Sequence, residues 1–504
     1  MSKKIRILSA ILAALMLAGS LASCATGDGE NETQASAQTS AVTEEETGVR
    51  DDLPDDLDYE SEEITIISRD REGLTHGEIS VDGLNGQTIN DIVYERNKAV
   101  EGRLNVKINS ILDSSPVAED VPGKVATAVN AGTGEYDLMA GAAYVVVDRA
   151  LSGIFANQAD LLYLDLDQPY WSQGYNEAVS YKGAQFTSTG AMLLATYRCA
   201  FVTVFNKALF IDADQPFLYD TVDEGTWTLD KQASLVPLFH RDNGNGIQDE
   251  EGDVYGFISS CYTGADPYWS SCKIDILTKN GDGDLELVMD LGKLHDTVEM
   301  MLALFYKTED STYAITHQSD DSEFDMVTNM FSEGRGAMAT LHIAELETAT
   351  MRKMTDEYGV IPMPKYNVAQ QNYYTMLHDQ FTVLAIPTTV TGDRKEMVGA
   401  FMEAMASASY RIIRPAYYEE TLRTQIAQDP QSAMMMDTIV NGIYMDAGIL
   451  YLGIMGNFQM KLRNMLDDNK NSVSSVFKAK LLQAERSLEK NMISKLDKLL
   501  AQQG

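Results

Sequence analysis

Cysteine, tryptophan and histidine are scarce in this chain of 504 residues, which has four, three and six of them respectively. So few cysteines exclude a small domain whose stability depends on several disulfides. The histidines are scattered, and the sequence has no His-Glu-x-x-His, Gly-x-Ser-x-Gly or Gly-x-x-x-x-Gly-Lys motif. The sequence therefore carries no organised nucleophile, catalytic-metal or phosphate-loop signature.

Basic residues are also few relative to acidic ones. Lysine and arginine together number 39 against 75 aspartate and glutamate residues, and the formal net charge is -36. Nucleic acid and anionic lipid are poor partners for such a chain. Because 44% of the residues are hydrophobic and the chain is long enough for two ordinary domains, we expect a folded, monomeric protein rather than a disordered one.

Long hydrophobic runs are absent apart from one at residues 7–17. This run follows three basic residues and precedes Leu21-Ala22-Ser23-Cys24, which is the order of a secretory signal peptide. It is too short to remain as a membrane span. Its Leu-Ala-Ser-Cys ending resembles the lipobox of bacterial lipoproteins, so we predict a signal peptide over residues 1–24 and a lipid anchor with diacylglyceryl and palmitoyl groups on Cys24. The alternative is an ordinary signal peptide with an accidental cysteine.

Residues 25–63 are rich in Gly, Ser, Thr, Gln, Asp and Glu and contain almost no large apolar side chains. Such a segment cannot bury enough surface to offset the entropy lost when it is ordered. We predict a disordered acidic linker that lets a folded body stand away from the membrane.

After residue 63 the apolar pattern alternates between strands and helices. Asn280-Gly281-Asp282-Gly283 predicts a hairpin turn, and the last part of the chain is predicted to be helical. The order of elements predicts an α/β fold with helices covering parallel sheets, in two lobes rather than one large sheet. The clearest predicted strands are 64–67, 105–109, 136–139, 201–205 and 381–386, and the clearest predicted helices are 88–104, 121–130, 227–238, 292–306 and 476–501.

Four stretches together resemble the extracellular solute-binding proteins of bacterial ABC importers, the group that includes maltose-binding protein. They are Tyr136-Asp137-Leu138 with the loop Ala140-Gly141-Ala142, Val204–Lys207 followed by Glu224–Thr228, Phe331–Met338, and Tyr358–Tyr366. The resemblance implies a bilobal type II periplasmic-binding-protein-like fold, with two α/β lobes joined by a hinge. It implies a first lobe of residues 64–198 and 325–378 and a second lobe of residues 199–324 and 379–504.

The resemblance also implies a function without catalysis. The protein would capture a carbohydrate, mostly an oligosaccharide in this group, between its lobes and deliver it to the permease subunits of an ABC transporter. With the lipid on Cys24, its place would be the extracellular face of the cytoplasmic membrane, as in Gram-positive bacteria. A secreted glycan-active hydrolase, or a surface glycan sensor or adhesion lipoprotein, is the alternative.

Saccharide recognition combines flat apolar rings with planar polar groups. Tyr268 and Trp269 are the first candidates, because they follow a strand after which the resembled family places an aromatic side chain in the cleft. Each candidate also has a structural alternative, which is packing for the aromatic residues and ion pairing for Arg198, and Trp227 is assigned to the core. The further candidate ligand contacts are Trp171, Asp137, Tyr144, Tyr197, Arg198, Asp379 beside His378, and Phe458.

Residues 241–253 resemble an EF-hand calcium loop, in which oxygen ligands alternate around a central glycine, here Gly246. A structural calcium ion is therefore a candidate cofactor. The register has faults, since Arg241 occupies the first position and Gly252 the twelfth, so a metal-free acidic turn is the alternative. The candidate ligands are Asn243, Asn245, the Ile247 carbonyl, Asp249 and Asp253.

Three cysteines remain beyond Cys24, at positions 199, 261 and 272. An odd number cannot all pair. A disulfide between Cys261 and Cys272 is geometrically possible, but buried free thiols are the favoured interpretation.

Overall fold

Two main β-sheets and the helices around them form most of the described structure. The computed structural model describes residues 49–245, 252–260, 263–306, 312–315, 322–418 and 430–503, and residues from Thr47 onward belong to one compact unit. The strands are β1 (Glu62–Arg69), β2 (Val106–Asp113), β3 (Leu138–Ala142), β4 (Phe201–Asn206), β5 (Phe257–Ser260), β6 (Leu277–Lys279), β7 (Leu285–Leu287), β8 (Thr312–Ile315), β9 (Met338–His342), β10 (Tyr358–Ile361) and β11 (Thr382–Ala385).

The helices differ widely in length, and the longest are near the start of the first sheet and in the second half of the chain. Short 3-10 segments cover Val236–Leu238 and Met351–Lys353, and a π-helical segment covers Leu488–Ile493. The α-helices are α1 (Thr88–Leu104), α2 (Asp120–Ala131), α3 (Ala143–Ala150), α4 (Gln173–Val179), α5 (Ala195–Arg198), α6 (Lys207–Asp212), α7 (Tyr219–Asp223), α8 (Leu229–Leu235), α9 (Pro267–Ser271), α10 (Leu291–Tyr306), α11 (Ser322–Ser332), α12 (Ile343–Leu346), α13 (Asp393–Ala416), α14 (Pro430–Asn441), α15 (Ala447–Leu450), α16 (Leu452–Met455), α17 (Phe458–Asp467), α18 (Val473–Ser487) and α19 (Ser494–Gln503).

The first sheet has the strand order β11-β3-β1-β2. β1 pairs in parallel with β2 and β3, whereas β11 pairs antiparallel with β3. Alternate residues of β1 point to opposite faces. Ile64 and Ile66 pack in a cluster with Phe401 of α13, while Ile67 belongs to a larger cluster that continues into the second sheet.

The second sheet has the strand order β10-β4-β9-β5-β8. β4 pairs antiparallel with β10 and β9, and β5 pairs in parallel with β9 and β8. Trp227 is fully buried beside this sheet and donates from Nε1 to the Pro362 carbonyl oxygen at 2.9 Å, so its assignment to the core is confirmed. A separate hairpin of β6 and β7 turns at the predicted glycine-rich position, where the Asn280 amide donates to Asp284 O at 2.9 Å.

The α/β class is confirmed, and most predicted elements are present at nearly the predicted residues. The assignment of segments to the two halves needs a correction, because residues 325–378 were expected beside the first sheet. They contribute β9 and β10 to the second sheet, while β11 and α13, expected in the second lobe, belong to the first sheet and its cluster. Apolar patterning predicts that a strand is buried but does not specify which strand it pairs with.

The predicted linker also extends too far. Residues 49–61 are part of the folded body, where Leu53 is buried and the Asp51 carboxylate accepts from Arg103 Nη2 at 2.6 Å. The Tyr59 amide donates to Leu104 O at 3.0 Å. The acidic composition suggested disorder, but the buried Asp51 carboxylate is paired with the guanidinium of Arg103, whose side chain is 32% exposed, and the pair holds this segment on the folded body.

Cys199 and Cys272 are free, buried thiols, in agreement with the favoured interpretation. Cys261 lies outside the described residues, as does Cys24. Within the described ranges, no helix combines the length and the apolar character that crossing a membrane would require.

Candidate functional site

A groove of about 730 Å³ lies between one segment that follows β1 and another that follows β9. Both segments begin at the carboxyl ends of their strands, the edge at which open α/β sheets bind ligands. The groove thus has one wall from the first-sheet side of the molecule and one from the second. We term it the cleft groove; its lining is Glu72, Gly73, His76, Gly77, Val81, residues 85–90, Leu194, Arg198, Ala344, residues 347–349 and Arg352.

Arg198 connects the two walls of the cleft groove. Its Nη1 donates to the carbonyl oxygens of Leu74 and His76 at 3.4 and 3.2 Å, and its Nε donates to Glu347 Oε2 at 3.3 Å. The side chain is only 13% exposed. One guanidinium therefore fixes the distance between the loop after β1 and the segment after β9.

Glu347 is held from a second direction by tyrosines. Tyr417 donates from its hydroxyl to Glu347 Oε1, and burial raises the pKa of that hydroxyl well above its ordinary range. The Tyr417 ring stacks on Tyr197, with the ring centroids 5.4 Å apart and the planes at 28°. Tyr197 is almost fully buried, so it supports the groove from beneath rather than lining it.

Arg352 is an exposed cation at the far wall of the groove. Its Nε donates to the Glu347 carbonyl oxygen at 3.2 Å and its Nη2 donates to the same oxygen, and it forms no ion pair with a carboxylate in the described part of the chain. On the near wall, Asn90 donates from Nδ2 to Gly83 O at 2.7 Å, which fixes the loop before α1. The remaining guanidinium donors of Arg352 are available to oxygen atoms of a ligand.

A polar cluster lies next to the groove, where the chain returns to the first sheet before β11. Arg69 Nη1 donates to Gln380 Oε1 at 2.9 Å, and Arg71 donates to the same oxygen. Burial raises the pKa of Asp379 to about 6, and the charge of Arg463 opposes the shift. The Tyr144 amide donates to the Asp379 carbonyl oxygen at 3.2 Å. Tyr144 and Asp379, both predicted contacts, are thus brought together here.

Tyr268 and Trp269 occupy a different environment. Both are buried in the core of the second half, where the Tyr268 hydroxyl donates to Gln232 Oε1 at 3.4 Å and the Trp269 ring lies 6.2 Å from Phe477. Neither residue lines the cleft groove. The structure therefore favours the packing alternative for both.

Asp137 lies at the amino end of β3, away from the carboxyl edge where a ligand contact was expected. Its carboxylate accepts from the Thr65 amide at 2.8 Å and from Arg394 Nη2 at 2.7 Å. The residue precedes its strand rather than following it, so its observed partners join β3 to β1 and to the start of α13.

Trp171 and Phe458 are also packed inside the protein. Trp171 donates from Nε1 to Glu403 Oε2 at 3.1 Å. Phe458 stacks on Phe477, with ring centroids 5.4 Å apart and planes at 16°. Both are almost fully buried, and neither lines the cleft groove.

The sequence analysis missed Glu72, Asn90, Glu347 and Arg352, which line the groove. Two signals were available. Residues 82–87 form a turn-rich run directly before α1, and residues 343–352 follow the carboxyl end of a predicted strand. Positions after strand ends are the usual ligand edge, whether or not they contain aromatic residues.

The calcium loop is described only in part. Asp253 Oδ1 accepts from the Asn243 amide at 2.9 Å, and Asn243 Oδ1 accepts from the Asn245 amide at 2.9 Å. Ile247 and Asp249 lie outside the described residues. Among the described residues, no group of three His, Cys, Asp or Glu side chains is arranged to hold a metal ion, and the calcium site stays a prediction.

Comparison with known proteins places this geometry in context. The sequence profile of one protein family matches residues 82–411, well over half of the chain. The family is described as bacterial extracellular solute-binding protein. No curated protein sequence matches the chain.

Solved structures of similar fold cover most of the chain at low identity. The ABC substrate-binding protein Lmo0181 from Listeria monocytogenes, solved with cycloalternan, has 14% identity and a TM-score of 0.51, covering 85% of this chain and 98% of its own. The GacH receptor of Streptomyces glaucescens has 15% identity and a TM-score of 0.52, and the match covers 85% of this chain and 98% of the receptor. A solute-binding protein from Thermotoga lettingae, solved with α-D-tagatose, has 16% identity and a TM-score of 0.52. This match covers 85% of this chain and 100% of the other. These likenesses show the bilobal periplasmic-binding-protein-like fold.

Proposed function

Because the chain belongs to the bacterial extracellular solute-binding proteins, we propose that it captures a carbohydrate, in the first instance an oligosaccharide, in the cleft groove and delivers it to the permease of an ABC importer. The observation that carries the proposal is the groove itself. It has one wall from each half of the molecule and a volume of about 730 Å³, within the range of about 300–1,000 Å³ that is usual for ligand sites.

The chemistry of the lining fits a ligand with many hydroxyl groups. The groove offers amides, carboxylates and guanidinium groups from Asn85, Gln87, Asn90, Glu347 and Arg352. Such planar groups donate to and accept from hydroxyl pairs. The bound ligands of the similar structures are cycloalternan, acarbose and α-D-tagatose, which are saccharides or close relatives of them.

The groove takes walls from both sheets, so a ligand that contacts both walls stabilises the arrangement in which they are close. Arg198 and Glu347 join the walls directly. We infer that a saccharide adds contacts with Arg352 on one wall and Asn90 on the other, and that the closed form is the one that the permease recognises. The protein binds and releases its ligand unchanged.

The experiment that tests this function is a thermal-shift screen of residues 49–504 against oligosaccharides, monosaccharides, polyols and short peptides. Binding to the folded state alone raises the melting temperature, and a ligand at about 100 times its Kd adds about 2.7 kcal/mol. We expect the largest shift with one oligosaccharide class, reduced by Arg352→Ala. If no carbohydrate shifts the melting temperature, or if the saccharide is recovered cleaved, the proposal is wrong and the latter result indicates a hydrolase.

We also propose that the mature protein is held at the extracellular face of the membrane by lipid on Cys24. The support is the run of residues 7–17 followed by Leu21-Ala22-Ser23-Cys24. Two or more acyl chains anchor a protein stably, whereas one chain binds only marginally. A lipid anchor keeps a captured solute near the permease.

A further inference from the structure

A second concave surface is formed where α4 faces the segment 371–374 and the end of α14. Its volume is about 480 Å³ and it shares no lining residue with the cleft groove. We term it the seam groove; its lining is Gly174, Glu177, residues 371–374, Thr438 and residues 441–444.

The walls of the seam groove are fixed by main-chain contacts. The Thr375 amide donates to Gly442 O at 2.8 Å, and the Tyr444 amide donates to Thr375 O at 3.0 Å. A Cβ atom on Gly174 would lie 2.4 Å from Ile443 O, so only glycine permits this close approach of the two walls. A site with walls fixed in this way loses little conformational entropy on binding.

Aromatic and planar polar groups converge on this surface. Tyr374 is half-buried, and its ring centroid lies 5.3 Å from that of Tyr444. The Tyr444 hydroxyl donates to Asp275 Oδ1 at 2.7 Å, and Lys273 Nζ lies 3.6 Å from its ring centroid, so Tyr444 is held in place and one of its faces is covered. Lys273 Nζ also lies over the Tyr374 ring, but farther away, at 5.5 Å from its centroid, so Tyr374 is the ring with more room for a ligand.

Several polar side chains of the groove are not used by the fold. Glu177, Asn372 and Asn441 are exposed, and their side chains make no hydrogen bond to any other residue in the described ranges. The Tyr374 hydroxyl likewise has no hydrogen-bond partner among the described residues. Two amides and a carboxylate thus line the same groove as the Tyr374 ring and hydroxyl, and such a combination binds the C–H face and the hydroxyl pairs of a sugar.

We propose that the seam groove is a second saccharide site, which takes a neutral sugar unit with its ring against Tyr374. The lining contains Glu177 and no lysine, arginine or histidine, while Lys273 and Lys279 contact lining residues from beside the groove. The formal charge of -36 on the whole chain favours a neutral ligand over an anionic one. The site is separate from the cleft groove, and its occupancy does not depend on the function proposed for that groove.

The test is a titration of the protein with maltotriose, cellobiose and mannotriose, followed by saturation-transfer difference NMR up to millimolar saccharide. Five proteins are compared: the unaltered chain, Tyr374→Ala, Asn441→Ala, the cleft-groove variant Arg352→Glu and a matched control. The matched control is Tyr94→Ala, because Tyr94 is also half-buried under a lysine, with Lys98 Nζ 5.6 Å from its ring centroid.

We expect a saccharide signal that persists in Arg352→Glu and falls at least about fivefold in Tyr374→Ala and in Asn441→Ala, while Tyr94→Ala leaves it unchanged. Circular dichroism verifies that each variant is folded. The proposal is overturned if none of the three saccharides gives a signal in Arg352→Glu, or if Tyr374→Ala binds as the unaltered chain does. If instead the function proposed for the cleft groove is wrong, the result differs. Arg352→Glu then leaves the saccharide signal at low saccharide concentration unchanged.

Discussion

Arg198 is the residue through which the two walls of the cleft groove are connected. Its guanidinium serves two carbonyl oxygens after β1 and the Glu347 carboxylate after β9. Removal of the guanidinium leaves Glu347 largely buried, with Tyr417 as its remaining side-chain donor. The residue therefore affects both the stability of the fold and the geometry of the groove.

We predict that Arg198→Ala lowers the free energy of unfolding by about 2–4 kcal/mol, because one partner of a largely buried ion pair is lost. Urea denaturation measures this change. Arg335→Ala is the control, since Arg335 pairs with Glu333, whose side chain is 58% exposed, and the loss there is expected to be below about 1 kcal/mol. Equal losses in the two variants would contradict the structural role of Arg198.

Asp148 of α3 is a half-buried residue whose carboxylate has little compensation. Its Oδ1 has no hydrogen-bond partner in the described part of the chain. Burial raises the pKa of Asp148 from an ordinary 3.8 to about 6, although the Gly453 amide and Lys495 oppose the shift. A raised pKa means that the folded protein binds the proton more tightly than the unfolded chain does.

The contribution of Asp148 to stability is therefore fully present below pH about 4 and is lost as the pH rises through about 6. This loss lowers the free energy of unfolding of the unaltered chain by up to about 3 kcal/mol between pH 4 and pH 7. We predict that the decrease is absent in Asp148→Asn, and urea denaturation across that pH range measures it. Asp56→Asn, at an exposed turn, serves as the control. A pH profile of Asp148→Asn that runs parallel to that of the unaltered chain would rule out this cause.

At the level of single residues, the sequence predicted the crossover region better than the aromatic contacts. Arg198 and Asp379 were chosen for their position near a predicted change of sheet, and they lie at or beside the groove. Tyr268 and Trp269 were expected in the cleft because they follow a strand after which the resembled family places an aromatic side chain. A core and a sugar site both use aromatic side chains, so residue type alone does not distinguish the two.

At the scale of elements, α13 holds the segment before α4 in place through one carboxylate. Glu403 accepts from the Tyr170 hydroxyl and from Trp171 Nε1, the latter at 3.1 Å. Burial raises the pKa of Glu403 to about 7. Either protonation state keeps at least one oxygen as an acceptor for these two donors.

We predict that Glu403→Ala lowers the free energy of unfolding by about 2–4 kcal/mol, because two buried donors lose their acceptor and a cavity forms. Glu403→Gln should cost about 1 kcal/mol, since it keeps one acceptor oxygen. Thermal and urea unfolding measure both. Glu396→Ala, at an exposed position of the same helix, is expected to change stability by less than about 0.5 kcal/mol. If Glu403→Ala left the free energy of unfolding unchanged, the buried hydrogen bonds to Glu403 would be dispensable.

The helices and strands themselves were largely predictable, and their pairing was not. The helix at 88–104 has the predicted bounds because its apolar positions recur at helical spacing. The position of β11 beside β3 depends on which hydrogen-bonding edge is free once the chain has folded. Strand pairing between distant segments leaves no local pattern in the sequence.

At the scale of the whole molecule, the proposed anchor determines where the protein works. We predict that Cys24→Ala releases the protein from the cell into the medium and abolishes incorporation of labelled palmitate. Fractionation followed by immunoblotting measures the release. Ser23→Ala, which keeps a small residue before the cysteine, should remain in the membrane fraction. If Cys24→Ala stays with the membrane and is still labelled, the anchor lies elsewhere.

The antiparallel strand β11 has a consequence for biogenesis. This strand and α13 come from the last part of the chain, yet they complete the sheet that begins at β1. While the polypeptide is being synthesised, its early strands lack their edge partner and the helix that covers them. Contacts between distant segments form slowly. The first sheet of a nascent chain therefore stays incomplete until α13, which ends at Ala416, has been made.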